Sequence, residues 1–170
     1  MTEPNDERLD RIWAPWRLDY VKAVHHVNDD GCIFCITDDT ERDRERYVVV
    51  RRPKCFAMLN LYPYNNGHLL VAPRRHTATL DELGDGELMA LMQLVRDSTA
   101  LLKDTLDPHG FNVGLNLGRA AGAGIVEHLH FHIVPRWVGD TNFMPATANT
   151  KVMPQSLDAL WELLRQKSAE

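Results

Sequence analysis

The sequence predicts an α+β fold that combines one antiparallel sheet of five strands with one long helix and a C-terminal helix. Several short segments rich in β-branched and aromatic residues follow one another on short connections, which favours antiparallel pairing. Two later segments instead repeat apolar residues at helical spacing. With 170 residues, of which 44% are hydrophobic and 25% charged, the chain is long enough for one domain with its own core.

The strands and helices can be assigned in chain order. The predicted strands are residues 47–51, 55–60, 68–72 and 111–117, followed by a final strand that begins at His128. The long helix follows a Gly-Asp-Gly break in which Asp85 is a suitable cap, and it ends near Pro108 and Gly110. Its apolar positions are Leu88, Leu91, Met92, Val95, Leu102 and Leu106, and those of the C-terminal helix are Leu157, Leu160, Trp161 and Leu164.

Composition and flanks restrict the class of protein. Residues 1–10 are acidic and polar, which predicts a frayed terminus and argues against a secretory signal. Residues 11–30 predict an N-terminal arm, and we treat residues 1–170 as one domain. No apolar run approaches the roughly 20 residues that span a bilayer. A net charge of −5 argues against bulk nucleic acid as a partner, and three cysteines without a signal favour a reducing, cytoplasmic location.

Two further features have ordinary structural interpretations. The charged run at residues 38–46 predicts a solvated loop or helix face. Cys55 lies among apolar residues, which predicts a small core residue. Neither feature is expected to carry chemistry.

Residues 128–136 read His-Leu-His-Phe-His-Ile-Val-Pro-Arg, so three histidines alternate with large apolar residues. This period of two predicts a strand with His128, His130 and His132 on one face. Imidazole acts as nucleophile, acid, base or metal ligand near neutral pH, so the chemistry is expected here. Residues two apart on a strand lie about 6.6 Å apart, whereas a zinc–nitrogen bond is about 2.0–2.1 Å. One end of the row is therefore expected to bind a metal while the other histidines do chemistry.

Cys32-Ile-Phe-Cys35 is a second candidate site. A C-x-x-C pair is compatible with zinc or with a redox pair. A redox pair usually opens a helix within a βαβ unit, whereas strand signals and charge follow this one, so zinc is favoured. A tetrahedral structural zinc site needs two more ligands, for which His76 and His128 are the candidates.

A loop rich in small residues precedes the histidine row. Gly118, Gly122 and Gly124 allow the backbone to approach a ligand closely, and successive N–H groups can form an anion nest. The loop matches neither the Walker pattern nor the dinucleotide-binding G-x-G-x-x-G pattern. A flexible hairpin loop is the alternative interpretation.

Together these motifs resemble the histidine triad (HIT) superfamily, whose signature is His-φ-His-φ-His-φ-φ with φ apolar. The signature here is His128-Leu-His130-Phe-His132-Ile-Val134, and residues 60–73 resemble the segment that precedes it in the family. The resemblance covers about residues 32–136. The flanks at residues 11–16 and 137–143 resemble the bacterial diadenosine tetraphosphate phosphorylase-like branch. The resemblance implies a HIT-like fold, a nucleotide substrate and a homodimer that joins two sheets.

The resemblance also implies catalytic roles. His130 corresponds to the nucleophile that takes up a nucleoside monophosphate. His132 and His68 correspond to residues that orient this nucleophile and contact phosphate. Asn60, eight residues before His68, occupies the position that binds the ribose hydroxyls.

Phosphate-binding and metal-binding positions follow in the same way. Asn116 and the loop through Gly122 and Gly124 correspond to the phosphate-binding side. The zinc ligands of zinc-containing relatives correspond to Cys32, Cys35, His76 and His128. The resemblance implies structural zinc and no organic cofactor.

The implied activity is cleavage of dinucleoside polyphosphates through a nucleotidyl-histidine, with phosphate or water as the acceptor. Alternatives are hydrolysis of another nucleotide conjugate (a nucleoside phosphoramidate or adenylyl sulfate), a slow nucleotide-binding interaction module, and a thiol redox protein. One departure affects the mechanism. Many relatives place Ser or Gln shortly before the triad, whereas this chain has Gly124-Ile-Val-Glu127, so no residue is assigned to assist the leaving group, and backbone N–H groups can take part of that role.

Overall fold

A computed structural model describes residues 31–148 and 152–169; the predicted frayed terminus and N-terminal arm lie outside these residues. The sheet has five strands in the order β1-β2-β3-β5-β4, and every neighbouring pair is antiparallel. The strands are β1 (Val48–Arg51), β2 (Cys55–Leu59), β3 (Leu69–Pro73), β4 (Gly110–Leu115) and β5 (Phe131–Arg136). The predicted antiparallel sheet is confirmed, and most strand bounds agree within two residues.

Among the described residues, three helices accompany the sheet: α1 (Asp85–Leu106), α2 (Met144–Ala148) and α3 (Leu157–Ser168). The long helix and the C-terminal helix were predicted, whereas the five-residue α2 was not. A 3-10 turn at Arg119–Ala121 interrupts the glycine-rich loop. Within the described ranges, no helix combines the length and the apolar character that crossing a bilayer requires.

The ends and faces of α1 differ in detail from prediction. Gly84, with extended backbone, occupies the N-cap, so the assignment of Asp85 as cap is wrong and Asp85 is the first helical residue. The Glu87 carboxylate accepts a hydrogen bond from the Gly84 N–H at 3.1 Å, which satisfies one unpaired donor of the first turn. Leu94 is buried, whereas Met92 is 50% exposed and is wrongly assigned to the buried face. Asp107 adopts φ 46° and ends the helix before Pro108.

Helices α1 and α3 cover one face of the sheet. The core on this face combines Val49, Ala57, Leu59, Leu69 and Val71 of the strands with Leu91, Leu94, Val95, Leu102, Leu160 and Leu164 of the helices. Cys55 belongs to this core and is fully buried, as predicted. The opposite face carries a second cluster: Phe34, Ile36, Val48, Phe56, Met58, Leu70 and Ala72. The segment that begins at the C-x-x-C motif therefore covers the face away from the helices.

The histidine segment enters the sheet later than predicted. Strand β5 begins at Phe131, so the prediction of a strand from His128 is wrong for its first three residues. The chain just before β5 is held instead by the Leu129 N–H, which donates to the Thr77 carbonyl at 2.7 Å. The alternation persists, because Leu129 and Ile133 both belong to the helix-side core. His132 pairs with Leu70 and so lies on the face away from the helices.

Most of the charged run at residues 38–46 is exposed, as predicted, but Asp43 is an exception. Asp43 is only 3% exposed and forms an ion pair with Arg51 at 2.5 Å. Arg51 also donates to the backbone carbonyls of Thr37 and Asp39 at 2.6 and 3.1 Å. These contacts fasten the segment that follows the C-x-x-C motif onto strand β1.

Candidate active site and metal centre

The four predicted metal ligands come together in the structure. One ligand atom from each of Cys32, Cys35, His76 and His128 lies within 4.8 Å of the others. The Cys32 Sγ and His128 Nδ1 atoms are 3.3 Å apart, as are Cys35 Sγ and His76 Nδ1. Zinc with bonds of 2.3 Å to sulfur and 2.0–2.1 Å to nitrogen holds tetrahedral S and N ligands about 3.6 Å apart. Donor types and spacing therefore fit a structural zinc site.

Backbone geometry prepares these ligands. The Cys35 N–H donates to the Cys32 carbonyl at 3.0 Å, which closes the C-x-x-C turn and turns both sulfurs to one side. The His128 Nε2–H donates to the Pro73 carbonyl at 2.9 Å, so the Nδ1 atom keeps its lone pair for the metal. Burial lowers the pKa of His128, which favours the neutral form that a ligand needs.

The two sulfurs also call for a cation. Burial raises the pKa of the Cys32 thiol, and the neighbouring Cys35 raises it further. Two adjacent thiolates repel one another, and a coordinated dication removes that repulsion. The donor set is thus better matched to a metal than to two free thiols.

Arg75, the residue before His76, is tied to the start of α1. The guanidinium of its neighbour Arg75 donates to both carboxylate oxygens of Glu87, at 3.1 and 2.9 Å. This pairing, with the Gly84 N–H, lowers the pKa of Glu87 to about 2. The ring of His76 meets that of His128 edge-on, with centroids 5.1 Å apart.

His130, the predicted nucleophile, is 6% exposed and has a defined tautomer. Its Nδ1 lies 2.8 Å from the carbonyl oxygen of His128, so Nδ1–H donates and Nε2 keeps its lone pair. Burial lowers the pKa of His130 because water no longer stabilises the charged ring. A neutral imidazole with an unprotonated Nε2 is the form that acts as a nucleophile.

His132 and His68 form a hydrogen-bonded pair beside His130. The Tyr64 N–H donates to His68 Nδ1 at 3.0 Å, so the hydrogen of His68 is on Nε2. That Nε2–H donates to His132 Nδ1 at 3.0 Å, which places the His132 hydrogen on its own Nε2. The ring centroids of His130 and His132 are 4.9 Å apart, so a hydrogen-bond donor lies beside His130.

Asn60 is brought to the same group, but its side chain faces protein partners. Its Oδ1 accepts from the Tyr62 N–H at 3.0 Å, and its Nδ2 lies 3.2 Å from His68 Nδ1. Asn60 is 7% exposed. In this structure it helps to fix the His68 tautomer, and a contact to ribose stays a prediction.

Asn116 lies at a groove beside the triad. The groove has a volume of about 460 Å³ and is open to His132. Its lining comprises Tyr64, Phe111, Asn112, Val113, Gly114, Leu115, Asn116, His132 and Val134. The predicted phosphate-side residue Asn116 and a triad histidine therefore face one space.

The glycine-rich loop uses part of its backbone internally. Gly118 and Gly122 adopt φ values of 76° and 85°, which only glycine reaches without strain. The N–H groups of residues 121–123 donate to the carbonyls of Gly118 and Arg119. Amides that contact phosphate are therefore expected from Gly124 onward, and that contact stays a prediction.

Sequence reasoning missed the contacts that hold the loop before His68. The Asn65 Nδ2 donates to the Pro135 carbonyl at 3.0 Å and to Asp140 Oδ2 at 2.8 Å. Arg136 donates to both oxygens of Asp140 and holds the pKa of that carboxyl well below its usual range. These hydrogen bonds fix the loop that carries Tyr64 against the end of β5. Polar residues beside the HIT motifs were the only signal available in the sequence.

The fold and the site together define a class of protein: one that places a buried, hydrogen-bonded row of histidines beside a cluster of two cysteines and two histidines on one face of an antiparallel sheet. The family model described as HIT domain matches residues 41–138. The chain belongs to the HIT-domain family, which confirms the resemblance noted in its motifs.

Relatives define this membership further. An AP-4-A phosphorylase of Mycobacterium tuberculosis is 42% identical over 156 residues, covering 89% of this chain and 80% of the relative. The prediction of a HIT-family enzyme similar to that branch is confirmed. A solved histidine triad nucleotide-binding protein from Sulfolobus tokodaii strain7 matches with TM-score 0.63 and 28% identity, covering 80% and 91% of the two chains. A Zn-bound histidine triad family protein from Mycobacterium smegmatis shares the fold, with TM-score 0.59 and 21% identity over 89% and 92% of the chains.

Proposed function

We propose that this enzyme cleaves dinucleoside polyphosphates of the diadenosine tetraphosphate type through a nucleotidyl-His130 intermediate, with phosphate or water as the second acceptor. The observation that carries the proposal is the buried, neutral His130, whose Nε2 lone pair lies beside a second, donating histidine. The similarity to the M. tuberculosis AP-4-A phosphorylase supports the substrate class.

In the first step, His130 Nε2 attacks the α-phosphorus of one nucleotide. A P–N bond forms as the bond from this phosphorus to its bridging oxygen breaks, and the remaining nucleoside polyphosphate leaves. The covalent route replaces one difficult displacement by two easier ones. The His128 carbonyl accepts the Nδ1–H throughout and stabilises the positive charge that develops on the ring.

The α-phosphate oxygens need donors as charge builds up on them. We assign one donor to the Nε2–H of His132. The His68 Nε2–H orients this ring by donating to its other nitrogen, Nδ1. Backbone N–H groups from Gly124 onward and the Asn116 side chain supply further donors, with no Ser or Gln needed before the triad. Asn60 binds the ribose hydroxyls after exchanging an internal hydrogen bond for one to the ligand.

In the second step, an oxygen of inorganic phosphate or of water attacks the same phosphorus. The P–N bond breaks and its electron pair returns to Nε2, which restores neutral His130. With diadenosine tetraphosphate, phosphate as acceptor gives ADP plus ATP, and water as acceptor gives AMP plus ATP.

Zinc, held by Cys32, Cys35, His76 and His128, would be structural, since four protein ligands leave no position for substrate. We also propose a homodimer that joins two sheets through the edge strand β4. Asn112, Val113 and Gly114 of this strand are exposed. Light scattering during size-exclusion chromatography is expected to give twice the chain mass, and a monomer mass would reject this assembly.

The deciding experiment is product analysis with diadenosine tetraphosphate, with and without inorganic phosphate. Phosphate-dependent formation of ADP plus ATP is expected from a phosphorylase, and phosphate-independent AMP plus ATP from a hydrolase. Acid quenching of a reaction with labelled substrate is expected to trap label on the wild-type chain and none on His130→Ala. A fully active His130→Ala would eliminate the nucleophile assignment.

A further inference from the structure

We propose that Phe34 is a positioning residue for the proposed nucleophile, His130. Through Phe34, the metal-binding loop (Cys32 to Cys35) sets the orientation of the His130 ring. The proposal rests on the function proposed above. Phe34 lies between the two thiols of the C-x-x-C motif and is 0% exposed, whereas its neighbour Ile33 is 48% exposed. The loop therefore directs a large apolar ring inward at the point where it brings the two sulfurs together.

The ring of Phe34 contacts both His128, of the metal cluster, and His130, the proposed nucleophile. Its centroid lies 4.7 Å from that of His130 at an interplanar angle of 33°, and 5.3 Å from that of His128 at 55°. Both distances are within the range of direct aromatic packing. Phe34 also packs near Phe56 of β2, which is fully buried; the two ring centroids are 6.4 Å apart. Phe34 thus packs both on a strand of the sheet and on His130.

His130 needs such a contact because its hydrogen bond leaves one motion open. The Nδ1–H bond to the His128 carbonyl selects the tautomer, but the ring can still swing about this bond. Attack on phosphorus requires Nε2 to point along the line opposite the leaving oxygen, and small misalignments are costly. A ring packed against the imidazole face restricts the swing, so Phe34 supplies what the hydrogen bond does not.

The backbone on both sides of Phe34 is constrained. The Cys35 N–H donates to the Cys32 carbonyl at 3.0 Å, and the Ile36 N–H donates to the Phe34 carbonyl at 2.9 Å. The sulfurs that flank the ring belong to the four-residue metal cluster. Fixing the thiols therefore fixes the ring, and the ring fixes the nucleophile.

The test compares Phe34→Leu with a matched control, Phe56→Leu. Both substitutions remove one fully buried phenyl ring from the same cluster, but only Phe34 packs directly on His130. The first measurement is the single-turnover rate of nucleotide transfer to the chain, together with KM. For Phe34→Leu we expect the transfer rate to fall by about 10-fold or more with KM within about 3-fold of wild type. For Phe56→Leu, with a comparable loss of Tm, we expect a fall below about 3-fold.

A second measurement needs no turnover. In ¹⁵N-histidine NMR spectra, Phe34→Leu is expected to broaden or shift the ring resonances of His130, whereas Phe56→Leu leaves them as in wild type. If Phe34→Leu does not fold, Phe34→Met takes its place, because it keeps the side chain apolar without its flat face. Equal effects of the two positions on both readouts would overturn the role of Phe34. Failure of the wild type to form any nucleotidyl-histidine would instead overturn the proposed function, and the NMR comparison would still decide for or against Phe34.

Discussion

His128 and His130 are two residues apart and both buried, yet they present opposite ring nitrogens. His128 donates its Nε2–H to the Pro73 carbonyl and turns Nδ1 toward the thiols. His130 donates its Nδ1–H to the His128 carbonyl and leaves Nε2 for substrate. The side chains are the same, and the position of the accepting carbonyl leaves the lone pair on Nδ1 of His128 but on Nε2 of His130, which suits the proposed ligand and nucleophile roles. Each carbonyl fixes a tautomer before any ligand arrives.

The largest expected effect separates these two residues by mutation. His130→Ala should lower the rate of product formation by at least about 10³-fold, because no other group takes over the covalent step. Its zinc content and Tm should stay close to wild type. His128→Ala should instead lose zinc and thermal stability. Metal analysis, a melting curve and a product assay on both variants test the division; loss of zinc from His130→Ala would contradict it.

Cys32→Ser tests the proposed metal site by removing one of its cysteine ligands. When free zinc is present at about 100 to 1,000 times its Kd, binding adds about 3–4 kcal/mol to the free energy of unfolding. Losing the site should therefore lower Tm by roughly 10 °C. The Tm and the zinc content are therefore expected to fall together, while the rate falls less than in His130→Ala. Cys55→Ser, at the buried cysteine outside the cluster, is the control that should retain zinc. Full zinc occupancy in Cys32→Ser would refute the four-ligand site.

Asn60→Ala tests how the proposed catalytic histidines are held in place. The change removes a hydrogen bond to His68 and, as proposed, one to ribose, so KM should rise and kcat should fall by about 10-fold. Asn66→Ala, at a second buried asparagine of the same loop, is the control and should change kcat by less than about 3-fold. Steady-state kinetics on both variants measure the difference, and equal changes in kcat would remove the specific role of Asn60.

The pH dependence of activity reports the protonation of the nucleophile. Burial lowers the pKa of His130 below its usual value of 6.5, so the ring stays neutral at pH values where a free histidine is half charged. The rate constant kcat/KM should therefore decline on the acid side only below pH 6.5. A decline centred above that value would show that the ring is not desolvated as the structure indicates.

The smallest expected effect concerns Glu87, which forms an ion pair with Arg75 next to the proposed metal site. Folding lowers the pKa of Glu87 from 4.5 to about 2, so its contribution to stability is complete above pH 4.5 and is lost as the pH falls toward 2. Because both side chains are partly exposed, Glu87→Gln should cost less than about 1 kcal/mol at pH 7. Urea unfolding with a chelator present, at pH 7 and pH 3, should show the difference shrinking; an unchanged difference would exclude the charge as its source.

The sequence was informative wherever a residue type implied its own chemistry. The alternating histidines predicted a division between metal binding and catalysis, and the C-x-x-C pair indicated zinc. Both follow from local spacing. The grouping of Cys32, Cys35, His76 and His128 agrees with the ligand set that the family resemblance implied.

What the sequence did not predict depends on partners distant along the chain. The late start of β5 follows from the Leu129 contact to Thr77, which no local periodicity encodes. Asp43 looked like one more solvated charge, but Arg51 allows it to be buried. The sequence analysis assigned no role to Phe34, because only the tertiary structure places its ring on His130.

The ligand pair Cys32 and His128 is separated by 96 positions, and the Asn65–Asp140 contact by 75. During synthesis from the N-terminus, both cysteines therefore emerge from the ribosome long before their last partner. Until then the nascent chain carries two thiols open to oxidation and to adventitious metals. Synthesis from the N-terminus thus gives this site an order of assembly in which the cluster of Cys32, Cys35, His76 and His128 is completed only as His130 and His132 emerge beside it.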